Sequence, residues 1–536
     1  MDDLFDFLLA RQSGGGGGFA PPVAPKDSLL FYSSKEIGIS IKNGAKNWNG
    51  TLYYSTDHST WNEWDGTTEI VSALDKGWHR IYLRGVGNTI ITGGELRGFV
   101  VRGSSIECIG NCNNLLDYAM EPTLGSQAFR GLFSYCTKVS FFVILPATTL
   151  AEGCYRVMFE GCTSLTTAPA LPAITLADNC YQGMFYGCES LTTAPALPAI
   201  TLADNCYQGM FTACKLLTTA PALPATTLAK GCYHGMFHNC GSLTTAPALP
   251  ATTLAEGCYR SMFTGCESLT TAPALPATTL ADNCYQSMFD SCKSLTTAPA
   301  LPATTLADSC YEDMFYWCKS LTTAPALPAT TLALYCYKYM FYVCESLTTA
   351  PALPATTLAD NCYQSMFDGC KSLTTAPALP ATTLAKGCYH GMFSACKSLT
   401  TAPALPATTL ALHCYQSMFD NCESLTSAPA LPATTLAGGC YMDMFNGCTS
   451  LTTVLALPAI TLVNACYQAM FQNCAKIKLS TTQDGEYANE YRVPISGDGV
   501  DATNALLNMF ADTGGTFVGA PTINTTYYTS NTVINP

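Results

Sequence analysis

The phrase Cys-Tyr-x-x-Met-Phe-x-x-Cys recurs thirteen times in this chain, its first cysteine stepping by 26 residues from Cys154 to Cys466 without exception. The second cysteines, Cys162 to Cys474, keep the same step, and a worn copy, "AFRGLFSYC", stands one period earlier at Ala128 to Cys136. A fixed period of this size is the mark of stacked units. Each unit is too small to bury its own apolar face, so its neighbours must cover it. The period predicts a solenoid whose ends differ from its middle.

The rest of the composition fits a packed array. Hydrophobic residues make up 48% of the 536, enough for a core, while charged residues are only 12%, about half the usual share. The formal net charge is −13 and no Lys/Arg-rich run occurs, so nucleic acid is not expected as a partner. No apolar run approaches the roughly 20 residues that span a bilayer, so no membrane partner is expected. The first residues, "MDDLFDFLLARQ", place Asp2 and Asp3 where an export signal carries positive charge, and no export signal is legible.

Within the repeated phrase the constant letters fall together. On a helix at about 100° per residue, Cys, Tyr, Met, Phe and Cys cover an arc of roughly 140°, and the four variable positions face the other way. The constant letters are then core and the variable ones surface. The remainder, "SLTTAPALPATTLA", is β-branched and interrupted by prolines, so its strand, near "LTTAP", must be short. Leu165, Ala168, Leu171 and Leu176 are expected inside. Each unit thus reads as a short parallel strand, a proline turn and a short helix, an α/β repeat solenoid. Adjacent Thr166 and Thr167 should point to opposite faces of a strand, which disfavours an ice-ordering threonine array.

Six segments follow. Residues 1–12 read as an amphipathic anchor helix with Leu4, Phe5, Leu8 and Leu9 on its apolar side. Residues 13–26 are a Gly/Pro linker. Residues 27–104 hold short alternating runs split by Asn-Gly, Asp-Gly and Gly-Asn turns, and predict a β-sandwich. Residues 105–135 are an N-terminal cap with the worn repeat, 136–476 the regular array, and 477–536 a polar C-terminal cap.

The unit "CTSLTTAPALPAITLADNCYQGMFYGC", Cys162 to Cys188, resembles the BspA-like, or Treponema-type, leucine-rich repeat. The usual unit of that family is a little shorter, with Ala-Phe where this chain has Met-Phe. The resemblance covers about 105–476. The flanks "LYYSTDHSTWNEWDGTTEI" and "TNALLNMFADTGGTFVGAPTINTTYY" look like companions of such arrays in gut Bacteroides proteins and their phages. The resemblance implies adhesion and surface recognition, and it carries over no fixed functional residues.

The chemistry-bearing residues give little else. Two cysteines eight apart on a helix lie about 12 Å apart along its axis, beyond the roughly 7 Å a disulfide spans. The repeat cysteines therefore read as core thiols, which suits a chain made in a reducing cytoplasm. Cys108 and Cys112 form a lone C-x-x-x-C, and His234 and His238 a lone i, i+4 pair; neither predicts a metal site. No catalytic motif is present, so neither an enzyme nor a cofactor is expected. Binding remains. Tyr316, Trp317, Tyr335, Tyr339 and Tyr342 crowd the variable positions of two adjacent units, an aromatic patch that a host-surface protein, a glycan or a second copy of the chain would cover. The expected home is a phage virion, with the N-terminus docked to other virion proteins. A bacterial cell-surface adhesin and a purely structural capsid decoration are the alternatives.

Overall fold

The computed structural model describes residues 20–42, 46–92, 98–120 and 122–536, so the expected anchor residues Leu4, Phe5, Leu8 and Leu9 lie outside the described residues. The chain divides into two compact parts, Met1–Leu243 and Thr244–Pro536.

The first part holds ten named strands: β1 (Leu29–Ser33), β2 (Gly38–Ile41), β3 (Thr51–Ser55), β4 (Asn62–Trp64), β5 (Ile70–Val71), β6 (Ala73–Asp75), β7 (Trp78–Val86), β8 (Phe99–Arg102), β9 (Ile106–Asn111) and β10 (Val139–Ile144). One sheet runs β10-β9-β1-β7-β3-β4, with β6 also on β7; a second runs β5-β2-β8. Phe31 of β1 and Trp64 of β4 both contact Phe99 of β8, at 6.3 and 6.1 Å between ring centroids, so apolar side chains of the two sheets meet. The β9–β10 pairing is parallel, Ile106 to Val139 through Asn111 to Ile144. β10 is the first repeat strand, and beyond it the ladder thins to single bridges such as Thr167–Thr193 and Thr193–Thr219. The prolines that follow each of these threonines two and five residues on, which lack a ladder donor, explain the thinning. Thr166 and Thr167 are both exposed, because one bridge per unit does not impose the alternation of a full strand.

The expected repeat helix is not there. Among the described residues there is no α-helix, and the one 3-10 turn is Cys112–Leu115. "NCYQGMFYGC" is instead a ribbon of consecutive turns. Cys180, Met184 and Cys188 each donate their amide to the carbonyl three residues back, at 3.1–3.2 Å. Between them Tyr181, Gly183, Phe185 and Gly187 donate to Cys206, Gln208, Met210 and Thr212 of the next unit, at 2.8–3.0 Å. Asn179, Gly183 and Gly187 have φ of 56°, 60° and 69°, the positive third residue that a type II turn requires. This four-residue rhythm recurs in every copy, with Asn283, Ser287 and Ser291 at 57°, 54° and 59° in the second part. An α-helix would satisfy its amides internally; the ribbon spends half of them on the neighbour and so doubles as a ladder.

The core arrangement survives the change of element. Cys180, Tyr181, Met184, Phe185 and Cys188 are all buried. Each aromatic stacks on its counterpart one unit on: Tyr181 on Tyr207 at 5.8 Å and Phe185 on Phe211 at 5.6 Å, with Tyr285–Tyr311 and Phe289–Phe315 repeating those two spacings in the second part. Leu165 and Leu171 are buried as expected, while Ala168 and Leu176 are half-buried. The second cysteine of each unit also has a polar task. Cys188 Sγ donates to the Phe159 carbonyl at 3.1 Å, and Cys318 Sγ to that of Phe289 at the same distance. All 29 cysteines are free and buried.

The second part ends in a cap that repeats the ribbon once more. Asn504, Asn508 and Asp512 take φ of 57°, 56° and 57°. Phe471 donates to Met509 at 2.9 Å, and its ring stacks on Phe510 at 5.4 Å. Around this extra ribbon lie β11 (Thr453–Leu455), β12 (Leu479–Ser480), β13 (Asn489–Arg492), β14 (Thr526–Thr529) and β15 (Thr532–Ile534). β12, β14 and β13 form one sheet, and β15 returns to pair in parallel with β11.

Candidate recognition surface

On the ribbon, the variable positions form columns running from unit to unit, and in two units these columns carry large side chains. Tyr316 and Tyr342 occupy one position in successive units and stack face to face at 4.7 Å with 6° between planes. Tyr339 meets both edge-on, at 6.4 and 5.5 Å. Trp317 lies beside Tyr316 at 6.3 Å and is 38% exposed, with Lys319 Nζ 4.9 Å from its ring centre. Tyr335 is joined through Lys338, whose ammonium lies 4.9 Å from the Tyr335 ring centre and 5.0 Å from that of Tyr339. All five aromatic residues singled out in the sequence therefore meet one another directly or through that lysine. Tyr316, Tyr335, Tyr339 and Tyr342 are half-buried rather than fully exposed.

Three of them sit on strained backbone. Trp317, Tyr335 and Tyr339 have φ of 59°, 56° and 54°, and Val343 has 57°. Left-handed backbone is uncommon for any side chain but glycine, Asn or Asp, and for a β-branched residue it is an outlier. Other copies put Gly187, Asn239 or Gly265 in the slot of Trp317, and Gly183, Ser287 or Ser365 in that of Tyr339.

Tyr316, Tyr339 and Tyr342 wall a concave site of about 460 Å³ that also receives Asp290, Glu312, Asp313, Lys338, Ser365 and Asp368. Glu312 pairs with Lys338 at 3.1 Å and accepts from Gln286 Nε2 at 2.9 Å. Burial pushes the Asp313 carboxyl up to about 7, the nearby Glu312 and Asp290 carboxylates adding to the effect and Lys338 opposing it. Burial likewise raises Asp368 to about 7, against a hydrogen bond from Ser394. These acids were not singled out in the sequence. The signal of two of them lies in one column: read every 26 residues, it runs Asp290, Tyr316, Tyr342, Asp368.

The remaining sequence candidates do not gather. Gln208 Nε2 lies 3.2 Å from His234 Nδ1, Cys108 and Cys112 are buried thiols whose ionisation burial opposes, and no three His, Cys, Asp or Glu residues form a metal-holding group among the described residues.

A chain whose turn ribbons and single-bridge ladders stack at a 26-residue period is a leucine-rich-repeat solenoid. The family model "BspA type Leucine rich repeat region (6 copies)" matches residues 126–270, 230–374, 283–426 and 360–489, more than half of the chain, and the protein belongs to that family. Membership points to a surface recognition or adhesion role. No curated protein matches the chain. A solved structure titled "Crystal structure of TLR13-ssRNA13 complex" is similar over 65% of this chain at 14% identity and a TM-score of 0.24. The match covers 46% of that structure's chain.

Proposed function

We propose that this chain is a non-enzymatic surface protein of a phage particle that recognises a host surface or its glycans through Tyr316, Trp317, Tyr335, Tyr339 and Tyr342. One observation carries the reading: three aromatic residues occupy left-handed positions that most other copies fill with Gly, Asn, Ser or Ala. Such strain persists where the surroundings hold it and a function uses it, and clustered aromatic rings often dominate binding. The segment with Leu4, Phe5, Leu8 and Leu9 serves as the anchor to other virion proteins. The two N-terminal sheets act as a small sandwich between that anchor and the array.

Two measurements test this. Mass spectrometry of purified particles should find the chain; finding it only in the bacterial envelope makes it an adhesin. Replacing Trp317, Tyr339 and Tyr342 by Ser should lower host-cell binding by about tenfold or more. The fold should hold, because Ser291, Ser287 and Ser394 occupy those same positions in other units. A particle-borne triple variant that binds like the parent makes the protein a structural decoration.

A further inference from the structure

The concave site between the units of Tyr316 and Tyr342 has a chemistry more specific than an aromatic patch. Tyr316, Tyr342 and Tyr339 are locked together by one stacked and two edge-on contacts, so the wall is rigid and no ring swings without unpacking the others. Around it stand four carboxyl groups, those of Asp290, Glu312, Asp313 and Asp368, against the single ammonium of Lys338. That ammonium shows what the site accommodates: it lies 3.1 Å from Glu312 and 5.0 Å from the Tyr339 ring centre, the combination of carboxylate and ring that attracts an organic cation.

We propose that this site receives an amino sugar, a hexosamine whose free ammonium faces the carboxyl groups of the lining. The assignment rests on reading the aromatic patch as a recognition surface. The excess of carboxyl groups disfavours acidic and phosphorylated sugars. The tip of a lysine side chain alone leaves most of the roughly 460 Å³ unfilled. Ser365, the tyrosine hydroxyls and Lys338 add donors and acceptors for the hydroxyls of a sugar ring, groups that a simple alkylammonium ion does not use.

Calorimetric titration of the full chain tests this with three probes: a glucosamine oligosaccharide, its N-acetylated counterpart and an oligolysine of similar length. The glucosamine oligomer should bind about tenfold more tightly than the N-acetylated one. Asp313→Asn with Asp368→Asn should remove that preference while leaving the melting transition cooperative. Equal affinity for the two sugars, or no binding of either, overturns the proposal, and tighter binding of oligolysine overturns the sugar assignment. Host-cell binding by the Trp317, Tyr339 and Tyr342 variant is read separately. If the rings are needed on cells while glucosamine is not bound, recognition through the patch stands and the amino-sugar assignment alone fails.

Discussion

Asp313, Asp368 and Asp420 carry carboxyl groups that burial raises to about 7, 7 and 6. In the unfolded chain each returns to the ordinary aspartate range near 4. Between about pH 4 and pH 7 the folded state therefore holds more protons than the unfolded one, and stability must fall as pH rises through that window. Above about 7 the contribution of these groups is flat. Thermal unfolding should accordingly occur at higher temperature at pH 5 than at pH 8. Asp313→Asn with Asp368→Asn should shrink that difference, since an amide does not titrate. A variant with an unchanged pH slope would show that these carboxyl groups are solvated in the folded state.

At the level of the ribbon, the deciding fact is the left-handed residue at every fourth position. Val343 is the sharpest case, a β-branched residue at φ 57° in a slot that Gly161, Gly187, Gly265, Gly369 and Gly447 fill elsewhere. Val343→Gly should stabilise the protein by about 1 kcal/mol, because relieved backbone strain outweighs the added freedom of the unfolded chain. The midpoint of denaturant unfolding reads this directly. A lower midpoint would mean that the Val343 side chain contributes packing worth more than its strain costs.

On the scale of the whole array, each unit contacts its neighbours through the same rings, amides and thiols, so units of the second part should be interchangeable. Charges at the position after the second cysteine reinforce the register, as in Lys293–Glu267 at 2.6 Å, Lys371–Glu345 at 3.1 Å and Lys397–Glu423 at 2.7 Å. Each exposed pair is worth little alone. Deleting residues 388–413 sets Tyr363 against Tyr415 and leaves Lys371 beside Glu423. This deletion should give a folded protein with a smaller denaturant m-value, since less surface is exposed on unfolding. Deleting thirteen residues should instead abolish cooperative folding, because ribbon would then face proline segment.

The sequence by itself determined the repeat, its period, the family and the core. The constant Cys, Tyr, Met and Phe had to be inside whichever element carried them, because a turn rhythm of four and a helical one of 3.6 stay in step over nine residues. For the same reason periodicity could not tell helix from ribbon. The Gly, Asn and Ser recurring at every fourth position were the legible sign of left-handed backbone. The cap ribbon was hidden differently: its Met509 follows Met470 by 39 residues instead of 26, so it reads as a change of pattern. Trp317, Tyr335 and Tyr339 were visible because they break the mostly small-residue pattern of their columns, and Tyr316 and Tyr342 because they crowd the same two units. The acids beside them were not, because a carboxylate at a variable surface position is unremarkable until a neighbouring unit buries it. Only the stacking of one unit on the next decided which amides cross between units, and which carboxyl groups face the rings of Tyr316 and Tyr342.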